Sequence, residues 1–302
     1  MFLVKKSMIL MGTSVTMYAV HPEPAYPQKV IEEAFDEFKR IEKIMSICDD
    51  GSEVFKLNKQ GFLNNASEDL IYVLKEAEKI SRLTRGVYDV SVLPLMEYLE
   101  ERFREDGSAD EKLSDIVELV DYSSISVSGD TVRFLKKGMK IVLNSIAKGY
   151  AVDLASDILR RYNIRHGMIN AGGDIRTIGG KTEQEPWKIA IRDPFNKDKH
   201  VCILKLFNGS VATSGVYEYE TIRGSHLHIV NPLKKTGESR VVSATVIADK
   251  CIVADALATS LCAIEPIEGI QLIEQLDDIE AMLITDEKSI LKTSRFVTYE
   301  DD

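Results

Sequence analysis

The chain has 302 residues, 44% of them apolar and 28% charged, with a formal net charge of −10. That length can enclose a sizeable core, while the acidic balance and the lack of a long lysine–arginine block exclude a partner held by its phosphate backbone, so no nucleic acid is expected. No apolar run is long enough to span a membrane, and Cys48, Cys202, Cys251 and Cys262 lack the spacing of a zinc site or a disulfide framework.

Residues 2–20 read as two strands broken at Gly12, with neither a signal-peptide cleavage site nor a lipobox cysteine. From Tyr26 to Met45 apolar residues recur at three-to-four spacing, which predicts an amphipathic helix. A second helix is expected over 67–85, with Ser67 as N-cap and Gly86 as the left-handed residue after its end. The charged stretch 100–115 reads as a solvated helical or loop insertion. A hairpin over 126–134 turns at Ser128-Gly129-Asp130, a strand is expected over 140–143, and a helix over 145–162. Strands follow at 166–170, 187–192, 200–206, 210–213, 217–222, 226–230 and 241–248. Helices over 252–262 and 266–276 and a hairpin around Asp286 complete the chain. Consecutive strands with helices gathered elsewhere favour an α+β fold over alternating βαβ units.

Four segments carry polar chemistry. Asn170-Ala171-Gly172-Gly173-Asp174 follows an apolar strand. Its glycines permit positive φ and close approach of a ligand, or simply mark a turn. No dinucleotide fingerprint or P-loop is completed around it. Ser145-Ile146-Ala147-Lys148 opens a helix, whose free N–H groups and dipole suit a phosphate, with Lys148 adding a formal charge. The alternative is a solvated lysine. Asp255 and Thr259 stand four apart, so their oxygens share a helix face. A carboxylate and a hydroxyl suit magnesium, although a cap and a back-bonding threonine would look the same. His226 and His228 alternate on one strand face, as a base, a metal pair or solvent-exposed side chains.

Taken in order, these segments resemble the ApbE family, the FAD:protein FMN transferases. The resemblance runs through Met11-Gly12-Thr13, Gly86-Val87-Tyr88-Asp89-Val90-Ser91-Val92-Leu93-Pro94-Leu95, Ile146-Ala147-Lys148-Gly149-Tyr150-Ala151-Val152-Asp153 and Asn170-Ala171-Gly172-Gly173-Asp174. It continues through Ala212-Thr213-Ser214-Gly215, His228-Ile229-Val230-Asn231-Pro232 and Asp255-Ala256-Leu257-Ala258-Thr259, and is strongest over 8–264. It implies a single T-fold-like α+β domain over 1–302, with a mixed or antiparallel sheet and packed helices. It implies Mg2+ held by the side chains of Asp255 and Thr259 and the backbone carbonyls of Ser145 and Ala258. FAD would be the substrate, contacted by Met11, Val87, Tyr88, Asp89, Lys148 and Ile229, with the glycine turn Gly172-Gly173-Asp174 beside it. His228 falls on the family's candidate catalytic histidine. The implied reaction moves FMN from FAD to a threonine hydroxyl of a client protein, a subunit of a membrane redox complex, and releases AMP. An FAD pyrophosphatase or a non-catalytic flavin-binding protein would carry many of the same residues. The sequence departs from the family pattern in three places. Val142-Leu143-Asn144-Ser145 replaces an Asp-Leu-Gly-Gly, Cys48 replaces a tyrosine that stacks on FAD, and Tyr88 replaces a phenylalanine.

Overall fold

A computed structural model describes residues 1–104, 113–215, 229–234 and 239–301. Strands β1 (Phe2–Leu10) and β2 (Thr13–His21) form the opening hairpin. Helices α1 (Ala25–Met45) and α2 (Glu53–Gln60), the short β3 (Phe62–Leu63) and α3 (Glu68–Leu83) follow. Then come α4 (Leu93–Arg104), α5 (Leu113–Glu118), β4 (Ile125–Ser128) and β5 (Thr131–Phe134). Helix α6 (Ala147–Arg161) leads into β6 (Gly167–Ala171), β7 (Asp174–Ile178), β8 (Trp187–Asp193), β9 (Asn196–Leu206) and β10 (Gly209–Gly215). Strand β11 (Val241–Ala248), helices α7 (Cys251–Ala263) and α8 (Pro266–Ile273), and the hairpin β12 (Glu280–Thr285) with β13 (Ile290–Lys292) end the chain.

Eight strands form one antiparallel sheet in the order β1-β2-β6-β7-β10-β11-β12-β13. Its central strands are buried on both faces, and alternation divides their side chains between two cores. Val246, Ala281 and Leu283 join the larger core shared with α1, α3, α6 and α7. Ile247, Met282 and Ile284 point the other way, against Ile189 and Ile191 of β8, Leu204 and Leu206 of β9, and Phe296. The mixed helix and antiparallel sheet is the expected α+β class. Among the described residues no helix is long and apolar enough to cross a membrane.

Local rules account for most helix ends. Ser67 caps α3 by accepting the Leu70 N–H at 3.2 Å, and Gly86 is left-handed. Arg85 enters that region first, so the turn takes two residues rather than one. The expected strand over 140–143 is not formed. Asn58 of α2 holds both backbone groups of Ile141, accepting its N–H at 2.7 Å and donating to its carbonyl at 2.8 Å. Strand β7 and helices α2 and α4 were not expected from the pattern. The expected strand over 217–222 lies outside the described residues, as do 226–228; Ile229 and Val230 belong to no strand.

Candidate functional site

Several expected site residues gather at one end of the large sheet. Two tight hairpins meet there. Met11 and Gly12 turn β1 into β2, and Gly172 and Gly173 turn β6 into β7, all four at positive φ. β2 pairs with β6, so the turns lie side by side, and a Cβ on Gly172 would overlap the Thr13 hydroxyl. Asn170 Oδ1 fixes the second turn by accepting the Gly173 N–H at 3.0 Å. Asp174 then opens β7 at this end.

Helix α6 points its first turn at the same place. Its N-cap residue, Ile146, supplies no side-chain cap, the Ala147 N–H donates to the Leu143 carbonyl at 2.8 Å, and the positive end of the helix dipole lies at this place. Tyr88 anchors the approach, because its hydroxyl accepts from Ser145 Oγ at 3.1 Å; burial pushes the Tyr88 phenol up. Lys148 Nζ forms an ion pair with Asp174 Oδ2 and lies 3.7 Å from Asp255 Oδ1.

Helix α7 carries Asp255 and crosses α6 closely. A Cβ on Gly149 would lie 2.5 Å from the Cys251 carbonyl oxygen and 2.8 Å from Asp255 Cβ, so only glycine permits this crossing. The Gly149 N–H donates to Asp255 Oδ2 at 2.9 Å. That N–H belongs to the first turn of α6, where no carbonyl of the helix can accept it. One turn beyond Asp255, the Thr259 hydroxyl meets Ser214 Oγ of β10 at 3.1 Å.

Asp255 is 2% exposed and Asp174 4%. Burial, followed by the charge of Asp174, pushes the Asp255 carboxyl up to about 7, against the opposing pull of Lys148. The charge of Asp174 thus disfavours an ionised Asp255 more than the charge of Lys148 favours it. A buried carboxylate and a hydroxyl one helical turn beyond it are hard-oxygen donors, and these residues fit magnesium. Ala258, the fourth expected ligand, sits in the same turn of α7, inside the helix.

Other expected residues lie apart from this cluster. Asp89 caps the short turn after it. One of its oxygens accepts from the Ser91 N–H at 2.8 Å and hydroxyl at 2.6 Å, the other from the Tyr122 N–H at 2.9 Å. Val87 is half-buried in the same loop, and Ile229 is buried against the main core. Cys48 is exposed beyond the end of α1. His228 lies outside the described residues.

One structural pair escaped the sequence reading. Asp153 accepts from the N–H groups of Cys251 and Ile252 at 2.9 and 3.0 Å and pairs with Arg176 at 2.6 Å, fixing the start of α7. Its only sequence signal is its place at the end of the Ile146–Asp153 motif.

Residues 11–283 match the ApbE family. The chain belongs to that family. Among curated ApbE relatives, the FAD:protein FMN transferase of Vibrio cholerae is 29% identical over 278 residues, covering 87% of this chain and 82% of that protein. That of Haemophilus influenzae is 28% identical over 288 residues, covering 89% and 83%. Among solved ApbE structures, the ApbE protein of Thermotoga maritima superposes with a TM-score of 0.89 at 26% identity over the whole of both chains. The flavin transferase ApbE of Vibrio cholerae gives 0.84 at 28% identity, covering 99% of each.

Proposed function

We propose that this chain is a magnesium-dependent FAD:protein FMN transferase that modifies a threonine of a client protein, a subunit of a membrane redox complex. The observation that carries the proposal is the Asp255–Lys148–Asp174 cluster at the N-terminus of α6. A pyrophosphate at that helix end would meet the positive end of the helix dipole and the Lys148 ammonium. Asp255 Oδ1, the Thr259 hydroxyl and the Ser145 and Ala258 carbonyls would hold magnesium, which neutralises phosphate charge when bound. The remainder of the chemistry falls to the chain. The client threonine oxygen forms a bond to the FMN phosphorus. The bond from that phosphorus to the bridging oxygen breaks, and AMP departs with the electron pair. His228 accepts the threonine proton.

His228→Ala should lower the transfer rate by roughly 10²–10⁴-fold while leaving FAD affinity nearly unchanged. Equal losses in rate and affinity would make His228 a binding residue. The activity itself is tested by incubating the protein with FAD, magnesium and a threonine-bearing client. The client should gain the mass of one FMN residue, with AMP in equal amount. Free FMN and AMP with an unmodified client would identify a pyrophosphatase. Intact FAD would refute both enzymatic activities.

A further inference from the structure

Lys148 stands where an ion would be expected to bind. Asp255 Oδ2 is already held by the Gly149 N–H, and Oδ1 is the oxygen that faces Lys148, whose Nζ lies 3.7 Å from it. The same ammonium is paired with Asp174. Both carboxylates are almost fully buried, whereas the lysine side chain is 25% exposed, so it reaches in from the solvent side. A lysine is a compact point charge on a flexible four-carbon stem and can move without disturbing the backbone. The backbone itself is fixed, since α6 and α7 touch at Gly149 with no space for even a methyl group.

We propose that Lys148 is a resident cation that holds the metal place in the flavin-free protein and leaves it when flavin arrives. Its ammonium bridges Asp174 and Asp255 until a pyrophosphate draws it outward, and only then is Asp255 Oδ1 open to a divalent ion. An ammonium and a divalent cation sharing one carboxylate oxygen repel each other strongly in a buried setting. Metal and flavin therefore enter together, and the flavin-free protein binds metal poorly. The donor set agrees with this order. One carboxylate with neutral oxygens leaves positions on a magnesium octahedron that phosphate oxygens or water fill. This inference rests on the magnesium assignment of the proposed function and adds a sequence of events to it.

The experiment measures Mn2+ binding, as a paramagnetic substitute for magnesium, by the loss of the free-ion resonance signal. Wild-type protein without flavin should bind weakly, and FAD should tighten binding. Lys148→Met and Lys148→Gln should each bind Mn2+ roughly tenfold more tightly than wild type without flavin, because a competing charge is gone. Lys148→Arg should remain weak, and adding Asp255→Asn to Lys148→Met should abolish the gain. Uncharged Lys148 variants that bind no better than wild type would overturn the inference. If Asp255→Asn also removed the FAD-dependent binding in that case, the magnesium assignment would stand without it. A Lys148→Met, Asp255→Asn protein that binds as well as Lys148→Met would overturn both.

Discussion

Helix α7 meets buried carboxylates in two places, and they are finished to different degrees. At its N-terminus, Asp153 accepts two backbone N–H groups and an Arg176 guanidinium, and that guanidinium also donates to the Asp249 carbonyl at 2.6 Å. In the middle of α7, Asp255 receives one N–H, and its other oxygen faces a lysine more closely paired with Asp174. Both places are built from α6, α7 and β7. The saturated one anchors the helix and has little capacity left for a ligand. The unsaturated one is costly to the empty protein, which is the condition a binding site needs.

Three measurements on metal-free protein and enzyme separate these roles. The largest effect should come from Asp153→Ala. It strands Arg176 and uncaps α7, and should lower unfolding stability in urea by about 3 kcal/mol. A loss below about 1 kcal/mol would remove the distinction between anchor and site. Thr259→Ala should do the reverse. The Ser214 hydroxyl it leaves is only half-buried and can turn to water, so stability should hold, while the magnesium concentration for half-maximal transfer should rise about tenfold. An unchanged magnesium requirement would place Thr259 outside the ligand set.

The smallest effect should be a gain. Asp255 holds its proton up to about pH 7 in the folded chain, against an ordinary carboxyl value of 3.8. Between those two values the unfolded chain has released a proton that the folded chain keeps. The contribution of Asp255 to stability therefore falls as pH rises through that window, and its full cost is present above it. Asp255→Asn should raise the melting temperature in chelator at pH 8 by about 2–4 °C, equivalent to about 1 kcal/mol for a chain this long, and by little at pH 4. An equal change at both pH values would point to packing rather than charge.

Helix α1 was legible in the sequence because its apolar residues lie on one face against the core, and the hairpin turns because Gly12 and Gly129 punctuate alternating strands. Strand β7 was not. Asp174, Arg176 and Thr177 are polar yet buried, each with a partner far away in sequence, and such partners leave no local period. The site divided in the same way. Asp255 and Thr259 share a face through helix spacing alone. The pairing of Lys148 with Asp174, 26 residues away, and the reason position 149 must be glycine depend on how α6, α7 and β7 meet.

In the proposed function Asp255 binds the metal that activates transfer, and this role decides the rest. It is tested most directly by titrating magnesium into wild type and Asp255→Asn, with FAD and client present, and following the mass gain of the client. Asparagine keeps the shape and an acceptor for the Gly149 N–H but lacks the charge. Wild type should respond to magnesium and saturate, whereas Asp255→Asn should show no magnesium-dependent transfer. An Asp255→Asn enzyme that is active and responds to magnesium as wild type does would contradict the account and leave Asp255 only its hydrogen bond between α6 and α7.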